Sequence, residues 1–500
     1  MSSLIHEIEQ SLLRRGPAQA LFWQDRAWSF AELDVWSKRM AWGLRAQGIT
    51  PGDRVATSLR NSPELVVAVL AILRCGAILV PLNPSATANE LGHLLGDCRA
   101  ALVLTQPEQV AAIRACGYAG PLLTAAALLD AASSRATEAP LPRRGPEAPA
   151  ILMYTSGTTS RPKGVLLSQG ALFANFSTVA TIWEWTQADR LLLTLPCFHL
   201  HGLGLGILLS LCVGSSLVLC PGFVAEEALA LLSRLECTMF FGVPTIYNRL
   251  VQLSDEALAR VDLRRMRMWV SGSALMPAST YERFRQRFGY ALMNRYGLTE
   301  ACCVLSTRGT EVRRAGNVGR PLPGVEVRLV DPERLDRGEM IEVTDSEPGE
   351  LLIRGPSLLS AYWNRPEELQ RALASGFLRS GDLAVREPDG TFRILGRRSL
   401  DIIKSRGYKI SAVELESCLQ DHPAVAEVAV VGLPDPDRGE AVVAAVVLAA
   451  GASASEQELR DYATQHLSPH KVPAQFRFLE KIPCVGPGKF NKPELIKKLG

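Results

Sequence analysis

The 500-residue chain has almost no excess of charge of either sign. Its 54 Lys and Arg against 51 Asp and Glu leave a net +3, so there is no basic footprint for nucleic acid. Any anionic ligand must be held by local groups. The 11 cysteines contain no Cys-x-x-Cys pair, and Cys302 and Cys303 are adjacent. An odd, scattered set fits neither a disulfide framework nor a zinc site and points to reduced thiols in a cytoplasmic protein. The opening run MSSLIHEIEQSLLRRG alternates charge with apolar residues at helical spacing and lacks the apolar centre of a secretory signal. No tandem repeat is present. Residues 191–225 carry no formal charge, and 202–222 is long enough to span a bilayer. Five glycines and three serines dilute that stretch, and no Lys or Arg flanks it to orient it. A buried helix followed by a buried strand is expected there instead of a membrane span.

The composition is otherwise that of a globular protein, with 47% hydrophobic and 21% charged residues, which excludes global disorder. The length suits roughly three structural units with cores that need no disulfide or metal staple. Helical periodicity covers 30–48 and ends at Gly48, VATSL at 55–59 reads as a strand, and a helical run follows over 63–75. AILVPL, ALVLT at 101–105 and LLLTL at 191–195 are further short apolar strands, giving the pattern of a mainly parallel, covered sheet. The Ala- and Pro-rich stretch 124–150 reads as a surface connection. Beyond about residue 340, GELLIRG, TFRILGR and DIIKSRGYKI are short alternating strands. From Glu414 a helix, two strands and a further helix make a compact α+β module.

The expected fold class is α/β. A large N-terminal portion of layered mixed or parallel sheets with helices occupies 1–397, in subdomains of about 1–150, 151–330 and a β-rich 331–397. A hinge at 398–401 leads to a small mobile α+β domain at 402–500.

The densest chemical signal is TSGTTSRPKG, which follows the apolar run AILM. Small residues let backbone N–H groups approach phosphate oxygens, hydroxyls add donors, and Lys163 adds charge. It is not a Walker A loop, because Gly-x4-Gly-Lys-Ser/Thr is absent. A flexible Ser/Thr loop is the plain alternative.

Further segments change that balance. PCFHLHGLG at 196–204, GSALMP at 272–277, NRYGLTE at 294–300, SGD at 380–382, GRRSLDIIKSRGYKISAVELE at 396–416 and PGKFNK at 487–492 occur in that order. Together with TSGTTSRPKG they resemble the adenylate-forming superfamily of acyl-CoA synthetases, adenylation domains and luciferases, across nearly the whole chain. RGPSLLSAYWNRPEE, IIKSRGYKI and LPDPDRGEAVVA look closest to malonyl-CoA-type and medium-size acyl-CoA synthetases.

The resemblance implies an AMP-forming acid–thiol ligase with ATP and CoA as co-substrates and Mg²⁺. Thr155, Ser156, Gly157, Thr158, Thr159 and Lys163 would hold phosphate. Gly272, Ser273, Ala274, Asn294, Arg295, Tyr296, Gly297 and Thr299 would enclose the adenosine, with Asp382 on the ribose and Arg397 on ribose or phosphate. Glu300 would help hold Mg²⁺ with Thr155 nearby. Lys489 would bridge the substrate carboxylate and the α-phosphate. In the second step the small domain would swing about Asp401. The loop Lys404, Ser405, Arg406, Gly407, Tyr408 and Lys409 would then replace Lys489 and serve CoA, with Gly407 lining the channel and His199 gating it. Lys404 and Lys409 read equally as strand-edge charges.

The acyl pocket is expected among His201, Phe240, Gly242, Val243, Gly297, Ala301, Cys302 and Cys303. Small side chains at 301–303 suggest room for a bulkier, mostly apolar acid. The alternative is a malonyl-type dicarboxylate; Arg249 would then bind its second carboxylate, although a helix-face arginine is the favoured reading of that residue. Ser160 stands where the resembling family usually has Gly, and Cys484 and Val485 where it has a basic residue and a hydroxyl. Adenylation could therefore be impaired, with a partner adenylating enzyme supplying acyl-AMP. A carrier-protein-loading enzyme and a nucleotide binder without turnover are the other readings. No nucleic-acid partner is expected.

Overall fold

The computed structural model describes residues 2–128, 140–142, 144–155, 162–309, 311–405, 408–486 and 489–500. Two large sheets form its N-terminal portion. One has nine strands, and its six central members, from Gln19–Trp23 to Met293–Leu298, run parallel. The other has seven strands, five of them parallel, with Lys163–Ser168 antiparallel beside Pro149–Thr155. The parallel strands read as unbroken apolar runs because helices cover both of their faces. MFFG at Met239–Gly242 and MWVS at Met268–Ser271 are buried throughout.

The helices start where the sequence supplies caps. Ser29 and Glu32 form a reciprocal capping box at the head of Phe30–Ala46, and Ser62 with Pro63 opens Pro63–Arg74. Aromatic clusters cover both faces of the nine-stranded sheet: Trp183 and Trp185 pack edge-on against Phe241 on one face, and Phe240, Tyr247, Trp269 and Phe284 pack together on the other. Each such ring removes enough apolar surface from water to contribute about 2–3 kcal/mol.

The uncharged stretch folds as a helix and then a strand, both buried. Its helix is wound as a wide π-helical segment, His201–Leu208, continued by the α-helix Leu209–Val213 before the strand Ser216–Leu219. A Cβ at Gly202 would stand 2.5 Å from the Pro196 carbonyl oxygen, and one at Gly206 would stand 2.6 Å from Leu193. The glycines therefore allow close approach of backbone rather than interrupting a membrane helix. Among the described residues no helix is long and apolar enough to cross a membrane.

A five-stranded antiparallel sheet over residues 326–397 follows. Residues 402–500 build a separate sheet, led by Val425–Asp435 against Gly439–Leu448, with helices Ala412–Gln420, Glu456–His466 and Lys492–Leu499. Their apolar side chains form clusters of their own, around Val430 and Leu459 on one side of the sheet and Val443 and Leu495 on the other. The fold is α/β, with a large N-terminal portion and a small α+β C-terminal one.

Candidate active site

The site is assembled at the carboxyl ends of the parallel strands, where open α/β sheets bind ligands. Successive side chains of Met293–Leu298 point to opposite faces. Tyr296 donates to Asp382 Oδ2 at 2.5 Å, and Arg397 Nε lies 3.2 Å from Asp382 Oδ1. Asp382 is 6% exposed and is fixed by its own turn. Ser380 Oγ donates to the Leu351 carbonyl at 2.6 Å and accepts the Asp382 N–H at 3.0 Å, while Gly381 supplies φ +70°. Burial, reinforced by Asp382, pushes the Tyr296 phenol well above its ordinary pKa, so it donates throughout the physiological range.

On the other side of that strand, Arg295 is 8% exposed. A Cβ at Gly272 would fall 2.6 Å from its Nε, so glycine is what lets the guanidinium lie across the strand end. Nε has no hydrogen-bond partner, and no carboxylate pairs with Arg295 among the described residues. His201 Nδ1 meets Ser273 Oγ at 3.2 Å, and its Nε2 is buried without a partner. Burial, then Arg295 and His199, drive the His201 pKa well below its ordinary value, which leaves a neutral imidazole. Ser273 adopts φ +68°, a conformation costly for a side chain. Ser271 Oγ and Thr194 Oγ1, at or just past the ends of their strands, and Asn294 Oδ1, near the start of its own, are also buried and unpartnered.

Residues 301–303 follow the strand on a tight turn. Ala301, Cys302 and Cys303 are buried. Asn175 brackets Cys303, donating to its carbonyl at 2.7 Å and accepting its N–H at 3.2 Å. Cys302 has φ +59°, and its carbonyl oxygen would lie 2.0 Å from a Cβ on Gly297. The backbone of this turn therefore packs directly against Gly297. Phe240 is fully buried, Val243 is buried, and Gly242 abuts the Tyr247 ring. Arg249 is exposed in the last turn of Pro244–Leu250.

Lys163 Nζ lies 2.6 Å from Glu368 and 5.9 Å from the centre of the Tyr362 ring; Tyr362 in turn donates to Glu300 Oε1 at 3.2 Å. Tyr362 and Glu368 were not singled out from the sequence. Thr155 is paired with Lys163 across the hairpin, and Ser156–Ser160 lie outside the described residues.

A family model described as AMP-binding enzyme matches residues 8–363, and the AMP-binding enzyme C-terminal domain matches 414–489. The chain belongs to the AMP-binding enzyme family. It is 37% identical to a malonate–CoA ligase of Mus musculus, covering 91% of this chain and 84% of that one. To a feruloyl-CoA synthase of Amycolatopsis it is 34% identical over 95% of this chain and 94% of that one. Its structure matches ATP-bound MatB from Rhodopseudomonas palustris with a TM-score of 0.91 at 32% identity, covering 100% and 99% of the two chains.

This AMP-binding enzyme is an AMP-forming acyl-CoA ligase with ATP and CoA as co-substrates. Mg²⁺ is typical of such enzymes. It keeps few protein ligands and takes phosphate oxygens, so a lone carboxylate such as Glu300, held by Tyr362, suits it. In the ligase's C-terminal portion, Lys404 is exposed and Ser405 buried. Exposed Tyr408 stacks on His470 with ring centres 4.3 Å apart. Lys404 pairs with Lys409 across the two strands, and Arg406 and Gly407 lie outside the described residues. Lys489 opens the short strand Lys489–Phe490, antiparallel to Cys484–Gly486. His199 is exposed, its ring 4.3 Å from that of Phe198. Ala274 is exposed, and Thr299 is half-buried beside Glu300.

Proposed function

We propose that this ligase activates a short dicarboxylate of the malonate class and transfers it to CoA. One observation carries the reading: Arg295 is a buried cation whose Nε has no partner and which no carboxylate pairs among the described residues. Burying a lone charge costs several kcal/mol, and a bidentate carboxylate offsets that cost best. Neutral His201 and the Ser273 hydroxyl stand beside it as further polar contacts. Arg249, exposed at the helix end, is a second cation for the same group. The malonate–CoA ligase names of the mouse and Arabidopsis relatives agree with this. A bulky apolar acid is the second reading, supported by the small residues at 301–303 and by the feruloyl-CoA synthase relative, but such an acid brings no second carboxylate to Arg295.

In the first step the other carboxylate attacks the α-phosphorus of ATP; the bond to pyrophosphate breaks and an acyl adenylate forms. Two anions must approach, so positive charge has to lie between them. We assign that role to Lys489, with Lys163 leaving Glu368 for the phosphates. Asp382 accepts from the ribose hydroxyls, Arg397 contacts the nucleotide, and Asn294 Oδ1 accepts from the adenine amino group. In the second step the CoA thiol loses its proton, attacks the acyl carbon and expels AMP. The C-terminal portion, from residue 402, turns about Asp401 so that the loop at 404–409 replaces Lys489. A cytoplasmic site of action, consistent with 11 unpaired cysteines, belongs to the same proposal.

The test is a panel of malonate, methylmalonate, succinate, benzoate and ferulate. Pyrophosphate release is followed in one arm. Thioester formation from the corresponding synthetic acyl adenylates is followed in the other. A kcat/KM at least tenfold higher for a dicarboxylate than for benzoate or ferulate is expected, and the reverse order refutes the assignment. Transfer without pyrophosphate release would place the defect in the Ser160 and Cys484–Val485 loops.

A further inference from the structure

The last helix, Lys492–Leu499, begins on a lysine that the fold has buried. Lys492 is 7% exposed, and its Nζ stands 2.5 Å from Asp401 Oδ1 and 2.7 Å from Glu416 Oε1. Such a triad is expensive to desolvate, and well-packed apolar residues often serve stability better. Nothing in the reaction described above uses it.

Its partners explain its placement. Glu416 belongs to Ala412–Gln420, and its Oε1 also accepts the Val430 N–H at 2.8 Å, which fixes it to the strand Val425–Asp435. Asp401 reaches in two directions. Oδ1 takes Lys492, while Oδ2 accepts the Arg397 N–H at 2.9 Å. Arg397 in turn pairs through its side chain with Asp382. Lys492 stands three residues after Lys489, and the Asn491 N–H donates to the Pro483 carbonyl at 2.7 Å, closing the base of the loop between them. One end of the Lys489 loop is therefore pinned to the residue assigned as the hinge.

We infer that Lys492 is a positioning residue for adenylation: clamped between Asp401 and Glu416, it registers the Lys489 loop on the hinge and, through Arg397, on Asp382. The inference rests on the roles proposed for Lys489 and Asp401. Reacting groups need placement to a fraction of an ångström, so a loosened loop base lowers turnover rather than substrate affinity. Thioester formation, with Lys489 withdrawn, does not need that register.

The test compares Lys492→Met, Lys492→Arg and the double variant Lys492→Met/Glu416→Gln, in which the buried charges are reduced together so that the fold survives. ATP–pyrophosphate exchange is measured with malonate or benzoate, whichever the unsubstituted enzyme activates faster. Thioester formation is measured from the matching acyl adenylate, and thermal unfolding accompanies both. The double variant should keep its unfolding midpoint and its KM for ATP, lose tenfold or more in exchange kcat, and stay within threefold in thioester formation. Lys492→Arg should recover part of the exchange. Both half-reactions falling together in step with the midpoint, or neither changing, overturns the inference. A preference for benzoate with the split intact refutes the dicarboxylate reading alone.

Discussion

On one face of the strand Met293–Leu298, Tyr296, Asp382 and Arg397 meet one another within 2.5–3.2 Å. On the other face, Arg295 and its neighbour His201 each leave a buried polar atom with no partner among the described residues. Both sets sit in the same crevice, but only the first is stable without ligand. Satisfied groups hold their geometry whether or not a nucleotide is bound. Unsatisfied ones penalise the empty enzyme by about 1–3 kcal/mol each, a cost that the right ligand removes. Under the proposed assignment, the ribose side of the site is preorganised by contacts within the protein, whereas discrimination among acids rests on what the Arg295 side lacks.

The comparison breaks most visibly at Asp382. Asp382→Ala strands the Arg397 guanidinium and the Tyr296 hydroxyl, and kcat/KM for ATP in pyrophosphate exchange should fall by about 100-fold or more. Arg295→Met should act in two directions. Activity on dicarboxylates drops about 10- to 100-fold while that on benzoate changes little. The midpoint of thermal unfolding without substrate rises, because removing a lone buried charge stabilises by about 1–4 kcal/mol. A fall in both would show that Arg295 has a protein partner, and the contrast between the two faces would fail.

Gly297→Ala probes the backbone beneath both faces. Its Cβ would meet the Cys302 carbonyl at 2.0 Å, so urea denaturation should show a loss of about 1–3 kcal/mol. His201→Gln has the smallest effect and sharpens the reading of a neutral imidazole. The folded pKa lies below the unfolded value of 6.5, so only the unfolded chain takes up a proton as the pH drops through that value. Stability then declines toward acid by up to about 1.4 kcal/mol per pH unit. Urea unfolding at pH 7.5 and pH 5.5 should show this decline in the native protein and about 1 kcal/mol less of it in the variant.

Much of the fold is legible because burial is uniform. Arg54–Ser58 and Pro63–Arg74 fall within a residue of the positions that the apolar run at 55–59 and the helical run at 63–75 assign them. Asp382 and Tyr296 were named from their motifs, and the structure brings them together. Arg295 was grouped with the nucleotide residues from its motif alone; that the strand also sets it beside His201, 94 residues earlier, had no local signal. The left-handed φ +59° at Cys302, a non-glycine residue, is a turn that side-chain size gives no sign of. Glu368 and Lys492 find their partners 205 and 91 residues away, at separations where no local pattern operates.

The wide turn His201–Leu208 carries a consequence of its own. Such a segment differs from an α-helix by one residue of extra winding. Deleting one of residues 203–207 would return it to α-helical pitch and rotate His201 by about 100° away from Ser273. The imidazole's address is therefore written in the length of the chain, and a deletion could re-aim it while leaving every other side chain of the acyl site chemically intact.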